Sequence, residues 1–379
     1  MQDKPAIAFF TRYLPNMGGV EFFTDNLAKQ LKLDGYLPII VTTDQAPKNF
    51  SRDFPILRLP NKSLLGGRYP IPLHSTQLSE LQTTLSKHGV EHYVINGRFY
   101  PLSRIGAKLA RQTGHTPIVI DHSSSYVSDT RTPLGACLAI ADHITTALLK
   151  RHSPKFYCVS KGSSQWLQRF GIASSGEIHN ALDAQKFRLQ SEYIDLPIVS
   201  ENKEHHLKVA YAGRLIEEKG IRELIEAITP LHDMELYIAG SGPLEDYVQK
   251  QSSAIEHVHF LGRLSHASLA SLLLQADIFC FPTRYGEGLP TCLLEAGACG
   301  CALITTNTGG TDEIIPNSAY GIRIGDTAPN TIATALQSLM DNPDLLHDLQ
   351  QRIQTHIETQ FTWQNTEHQL LRALKIEND

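Results

Sequence analysis

A chain of 379 residues exceeds the size at which a single hydrophobic core keeps growing, and it points to two domains. Its composition, 41% apolar and 19% charged, excludes a disordered or collagen-like chain, and no apolar run approaches the roughly 18 residues of a membrane-spanning helix. The net charge of −5 is unevenly divided: residues 1–190 hold 22 Lys and Arg against 13 Asp and Glu, and the remainder holds 12 against 26. A basic first half suggests an anionic partner, a membrane surface or a phosphate-bearing acceptor. It carries no motif or aromatic stacking pattern that would point to nucleic acid.

Taken in order, Ala6–Phe10 is an apolar strand, and the start MQDKPAIAFF has neither the basic region nor the cleavable apolar segment of a signal peptide. A turn-rich loop follows, ending in the pair Gly18 and Gly19 before a helix over Phe22–Leu33. Glycines between a strand and a helix let backbone approach a phosphate closely. Leu37–Thr42, Ile56–Leu59 and His92–Ile95 read as further strands, and strand–helix alternation means a parallel, doubly wound sheet. Leu64–Leu73, with Arg68, Tyr69 and two prolines, reads as a long loop. Asn96–Tyr100, containing Arg98, leaves a strand end ahead of a helix over Ser103–Gln112. Pro117–Ile120 is the next strand. At its carboxyl end His122 sits between Asp121 and three serines, an arrangement that suits a helix cap as well as a site. Phe156–Ser160 and Lys161–Phe170 close the first sheet with a strand and a helix. The six cysteines lie mostly in apolar segments without zinc spacing, as expected of reduced thiols in a cytoplasmic protein.

Ile178–Asp183 is the passage to a second domain, and Ser200–His206 is a polar, exposed loop. Leu207–Ala212 opens a second sheet. Gly213 then permits close approach, while Arg214 and Lys219 flank a loop entering the helix Ile221–Ile228. Cations beside a helix N-terminus suit a diphosphate. Met234–Ala239 and Val258–Leu261 are strands, the second followed by Gly262-Arg263-Leu264 and a helix over His266–Gln275. The stretch Ala276–Pro316 carries the most information. Ala276–Pro282 is a buried strand, a polar turn holds Gly286 and Gly288, Pro290 precedes the helix Thr291–Ala298, and Cys301–Thr306 is another strand. Such a unit presents free N–H groups at the carboxyl edge of a parallel sheet, where anions bind. Glu287 lies in the turn and Glu295 roughly 7 Å below the helix start, at about 1.5 Å per residue. That spacing fits a cap and a surface pair as well as two ligand contacts. The late segments Asn330–Met340, Pro343–Glu358 and Trp363–Leu374 read as helices.

Glu287 to Glu295, beginning Glu-Gly and ending Glu-Ala, resembles the E-x7-E signature of retaining nucleotide-sugar glycosyltransferases of family 4. Gly18-Gly19-Val20-Glu21 is similar to that family's G-G-x-E loop, and Gly213-Arg214 through Lys219-Gly220 to its G-R-x4-K-G pattern. Gly240–Pro243 resembles G-x-G-P, and Phe361-Thr362-Trp363 resembles F-[ST]-W. Ile178–Asp183 resembles I-x-N-G-V-D, with Ala181 in place of the glycine. The resemblance runs over about residues 6–375. It implies an α/β GT-B fold: two Rossmann-like doubly wound parallel sheets facing a cleft. An acceptor-binding domain would span 1–183, with 361–379 crossing back to it, and a donor-binding domain 184–360.

The same resemblance implies residue roles. Glu287, His122, Arg214 and Lys219 would serve catalysis, with His122 meeting a sugar hydroxyl or, when protonated, phosphate charge. Gly18, Gly19, Gly213, Arg263, Leu264, Gly288, Leu289, Thr291, Cys292 and Glu295 would hold the donor. Arg68, Tyr69 and Arg98 would receive the acceptor. The implied reaction moves a sugar from a nucleotide-diphosphate donor, UDP favoured, to a lipid-linked or glycan acceptor with retention, and needs no cofactor. No D-x-D triplet occurs, so no metal is expected. The expected setting is cytoplasmic, peripheral to an anionic inner membrane face. A sugar-nucleotide epimerase, a phosphorylase and a non-catalytic nucleotide-sugar binder are the alternatives.

Overall fold

The computed structural model describes residues 4–13, 18–43, 50–64, 69–72, 75–126, 132–191 and 206–377. The chain divides into two compact units, Met1–Asn180 with Trp363–Asp379, and Ala181–Thr362. In the first, β1 (Ala6–Phe10), β2 (Leu37–Thr42) and β3 (Ile56–Arg58) precede a two-stranded antiparallel hairpin of β4 (Asn61–Leu64) and β5 (Tyr69–Pro72). After these come β6 (Val90–Asn96), β7 (Ile118–Asp121) and β8 (Lys155–Cys158). The parallel sheet runs β3-β2-β1-β6-β7-β8. In the second unit β9 (Leu207–Arg214), β10 (Met234–Ser241), β11 (Val258–Gly262), β12 (Ile278–Phe281), β13 (Ala302–Thr306) and β14 (Ile322–Ile324) form a parallel sheet ordered β11-β10-β9-β12-β13-β14. The order in which the chain lays down strands thus reverses once in each sheet, between β1 and β6 in one and between β9 and β12 in the other. In open parallel sheets the crevice outside the strand ends at that reversal is where ligands bind.

The helices cover the sheets. The first unit contributes α1 (Gly19–Leu33), α2 (Ser75–Lys87), α3 (Pro101–Gln112), α4 (Pro133–Lys150) and α5 (Lys161–Leu167). The second contributes α6 (Ala184–Leu189), α7 (Ile221–Ile228), α8 (Glu245–Ala254), α9 (His266–Gln275), α10 (Thr291–Ala298), α11 (Thr311–Ile314), α12 (Pro329–Met340) and α13 (Pro343–Gln360). The last helix, α14 (Trp363–Ala373), belongs to the first unit and packs on α1, where Trp363 meets the rings of Phe22 and Phe23. Strands covered on both faces are apolar throughout rather than alternating, and all five residues of β1 are buried. Helices keep the 3.6-residue stripe instead: in α7, Ile221, Leu224, Ile225 and Ile228 all face inward. Burying those four side chains contributes roughly 6–10 kcal/mol as an upper estimate.

Three readings of the first unit change. The Leu64–Leu73 stretch is not simply a loop, since it carries one end of the hairpin, with Asn61 opposite Pro72 and Ser63 opposite Pro70. Prolines are tolerated there because the hairpin is a two-stranded sheet, so each strand has an edge needing no ladder donor. Helix α4 was not anticipated, because several of its large apolar residues, Leu134, Ile140 and Ile144, face away from the core. Its buried positions are Gly135, Asp142, Thr146 and Leu149. Finally, Arg98 is unavailable to an acceptor. It is 3% exposed, its Nε pairs with Asp121 at 2.5 Å, and Nη1 meets the Asp142 carboxylate and, at 2.9 Å, the Thr146 hydroxyl. Burial pushes the Asp142 carboxyl up while the guanidinium pulls against it. Arg98 therefore anchors the polar inner face of α4 to the end of β7.

Removing one partner of a buried ion cluster leaves the others charged and unpaired. Arg98→Ala is expected to cost about 3–5 kcal/mol of unfolding free energy in a urea titration. A loss below about 1 kcal/mol would show that the cluster contributes little.

Candidate active site in the second unit

The reversal between β9 and β12 is where the second unit assembles its chemistry. Strand β9 ends in Gly213 and Arg214, and the chain turns through a short 3-10 segment, Glu217–Lys219, into α7. Strand β12 ends at Phe281 and leads through residues 282–290 into α10. The two loops are tied together by backbone: the amides of Arg284 and Tyr285 both donate to the Glu218 carbonyl, at 2.7 and 3.1 Å. The Arg284 guanidinium reinforces the join, donating to the Glu217 carbonyl at 2.9 Å, to Thr327 at 2.9 Å and to Glu223 at 2.5 Å.

Two glycines allow the loops this close an approach. Gly220 has φ +70°, and a Cβ there would lie 2.1 Å from the Pro282 carbonyl oxygen. Gly309, after β13, has φ +57°, and a Cβ would lie 1.7 Å from the Glu287 carbonyl oxygen. Both need the left-handed conformation and the missing side chain.

Lys219 sits at the centre, only 7% exposed, with its ammonium paired to the Glu287 carboxylate. The rings of Phe281 and Tyr285 each lie 5.0 Å from Nζ. Loss of water pushes the ammonium down to about 8, and the positive charge of Arg214 adds to this. Arg214 itself is exposed, and no ion pair of its guanidinium is found among the described residues. Pro290 stands at the N-cap of α10 and makes no side-chain cap bond. By helix geometry the Thr291 and Cys292 amides have no intrahelical acceptor and lie at the positive end of the helix dipole. Burial pushes the Cys292 thiol up to about 12, so it stays protonated and uncharged at neutral pH.

Glu295, in the middle of α10, accepts from His266 Nε2 at 2.9 Å, while His266 Nδ1 meets Gln190 at 2.8 Å. The carboxylate raises the His266 pKa above its ordinary value. This bond also ties the turn of Arg263 and Leu264, just before α9, to α10. Leu289 is buried and Gly288 half-buried in the turn ahead of the helix.

The remaining predicted residues lie in the first unit. Gly18 is the N-cap of α1, Gly19 is its first residue, and the helix starts three positions earlier than the periodicity indicated. The Glu21 carboxylate folds back toward Gly18, to 3.0 Å from where a Cβ would be. His122 follows β7 directly, with its ring edge-on to Phe23 at 4.8 Å and its Nε2 buried without a hydrogen-bond partner. Burial pushes it down to about 4, so it is neutral near pH 7. That removes the protonated role; a neutral imidazole can only exchange hydrogen bonds. Asp121 does not cap a helix, since its carboxylate accepts from the Ser123 amide at 2.7 Å and pairs with Arg98. Arg68 lies outside the described residues, and Tyr69 stands in β5 opposite Leu64.

Comparison with known proteins agrees with this architecture. Residues 195–356 match the family model described as glycosyl transferases group 1. An uncharacterized glycosyltransferase of Methanocaldococcus jannaschii, MJ1069, is 22% identical over 384 aligned positions, covering 97% of each chain. A GDP-mannose-dependent monoacylated alpha-(1-6)-phosphatidylinositol monomannoside mannosyltransferase of Corynebacterium glutamicum is 31% identical over 180 residues, which cover 45% of this chain and 47% of that one. Among solved structures, Anabaena HepE in complex with UDP superposes with a TM-score of 0.74 at 15% identity, over 99% of this chain and all of the other.

The contact between Gly309 and the Glu287 backbone generates a test. Gly309→Ala combines a left-handed alanine with a carbonyl clash, and is expected to destabilise the chain by roughly 2–4 kcal/mol in denaturant unfolding. A change below about 0.5 kcal/mol would mean that the Glu287 turn is free to move aside.

Proposed function

We propose, on the premise that this chain is a glycosyltransferase of the GT-B fold, that it transfers a sugar from a nucleoside-diphosphate donor to a lipid-linked or glycan acceptor with retention of anomeric configuration. The observation that carries this reading is the clustering of Lys219, Glu287, Arg214 and the α10 N-terminus at the edge where the second sheet reverses. A departing diphosphate brings negative charge into a site poor in water, where fixed positive groups stabilise it more strongly than solvent does. Arg214 and Lys219 supply two cations, and the Thr291 and Cys292 amides supply dipoles. Pro290 has no N–H to add to them. In this reading these groups stand in place of a metal ion.

The acids divide the sugar and the nucleoside between them. Glu287, already against the Lys219 ammonium, orients the donor sugar and faces the positive charge that develops at the anomeric carbon. Glu295, steered by His266, accepts from the ribose hydroxyls, and Arg263 and Leu264 border the base. Gly213 and Gly288 let backbone close on the phosphates, with Leu289 packed beneath the turn. Neutral His122 offers its unpartnered Nε2 to a sugar hydroxyl, and Gly18 and Gly19 leave the start of α1 open to the ligand. UDP is the favoured carrier. The dependence of the C. glutamicum relative on GDP-mannose supports GDP-mannose as the second reading. The expected setting is cytoplasmic, against an anionic membrane face, and no described helix is long and apolar enough to cross a membrane.

A screen of UDP- and GDP-sugars, reading released nucleoside diphosphate with and without membrane extract, tests the reaction; no release from any donor rejects it. Arg214→Ala and Lys219→Ala are each expected to lower kcat/KM by about 10²–10³. Equal turnover in both variants and the parent would remove the assigned role. The pH dependence has a definite sign. The free Lys219 ammonium loses its proton as pH rises through about 8, whereas bound phosphate requires it charged. Nucleoside-diphosphate affinity should therefore fall above pH 8, by up to about tenfold per pH unit. In Lys219→Met it should be weak and flat over the same range, as read by titration calorimetry.

A further inference from the structure

Helix α4 is built inside out. Its inner face carries Asp142 and Thr146, which are held by Arg98, together with Gly135 and Leu149. Its outer face carries Leu134 and Ile140, each 61% exposed, Ile144 at 55%, and the exposed Cys137. Spaced three to four residues apart, these form one continuous apolar stripe facing away from the protein. A soluble helix arranges its residues the other way round, and an apolar stripe of this length on a surface marks a contact.

The neighbouring helix supplies the charge. On α3, which packs beside α4, Arg104, Lys108 and Arg111 stand on one exposed face at helical spacing. Their positive charges are felt together at His152, just beyond the end of α4. Helix α3 contains no Asp or Glu, and the one acid of α4 is the buried Asp142. The first unit as a whole holds 22 Lys and Arg against 15 Asp and Glu. An apolar stripe on one helix and a row of cations on the helix packed beside it, neither helix carrying an exposed carboxylate, match a layer with an apolar interior and an anionic surface.

We propose that the α3–α4 face docks on an anionic lipid bilayer, the outer stripe of α4 entering the headgroup boundary and the α3 cations meeting lipid phosphates. This gives a physical site to the membrane association in the preceding reading and rests on it, but not on the identity of the donor. The full-length chain is expected to sediment with vesicles of phosphatidylcholine and phosphatidylglycerol in equal parts, not with phosphatidylcholine alone, and less as salt is raised. The triple variant Arg104→Glu, Lys108→Glu, Arg111→Glu should lose about a hundredfold in partitioning. The double variant Ile140→Ser, Ile144→Ser should lose about tenfold or more. Both should keep the parent's nucleoside-diphosphate affinity, which separates this proposal from the donor site. Equal sedimentation of the parent and both variants would overturn it. So would a dimer seen by light scattering that Ile140→Ser, Ile144→Ser dissolves, since a second copy would then cover the stripe.

Discussion

A lysine ammonium taken out of water is costly, and the second unit spends much of its local structure on holding one. Lys219 has two rings beside it, a carboxylate against it and a neighbouring cation that makes its charge harder to keep. Such a group persists only when the surroundings leave it no alternative. The backbone bonds from Arg284 and Tyr285 to Glu218 fix the loop that carries it, and Gly309 fixes the turn that carries its acid. A charge held at this cost is available to an incoming anion without first being stripped of solvent. The topology decides where this happens, because the strand order switches between β9 and β12 and a crevice opens outside the strand ends at that switch.

How much of this was legible in the chain depended on the range of the interactions. The second unit was read closely: the helices at Ile221–Ile228, His266–Gln275 and Thr291–Ala298 have the boundaries that periodicity gave them. Their apolar stripes, glycines and Pro290 are local signals, and the local and tertiary preferences agree. The places of Arg214 at the end of β9, Lys219 ahead of α7 and Glu287 in the turn before α10 were readable from the same local pattern. What escaped was long-range. Arg284 and Tyr285 lay in a polar turn with no sign that they would bond to a carbonyl some sixty-five residues earlier. His266 looked like an ordinary helix start, yet it holds Glu295.

The first unit was read less well for the opposite reason: there the usual rules are broken. Arg98 at a strand end looked like a ligand group, but the carboxylates that neutralise it come from β7 and α4, and no local pattern announces them. Helix α4 defeats periodicity because Leu134, Ile140 and Ile144 face out while Asp142 and Thr146 turn in beside Leu149. The pairing of Arg98 with Asp142 and Thr146 explains that inversion: once the guanidinium is buried, polar groups must turn inward to meet it. His122 was located correctly at a strand end, but its charge state depends on burial, which a sequence does not show.

The path of the chain has a consequence for how it is made. Trp363, Leu370 and Leu371 of α14 are buried parts of the first unit, and in the sequence the whole second unit separates them from α1, the helix on which α14 packs. During synthesis residues 1–180 emerge first, yet they lack a piece of their own core until α14 follows. The unit that is born second can therefore be complete first, and the opening unit must wait with a face of α1 uncovered until α14 arrives to close it.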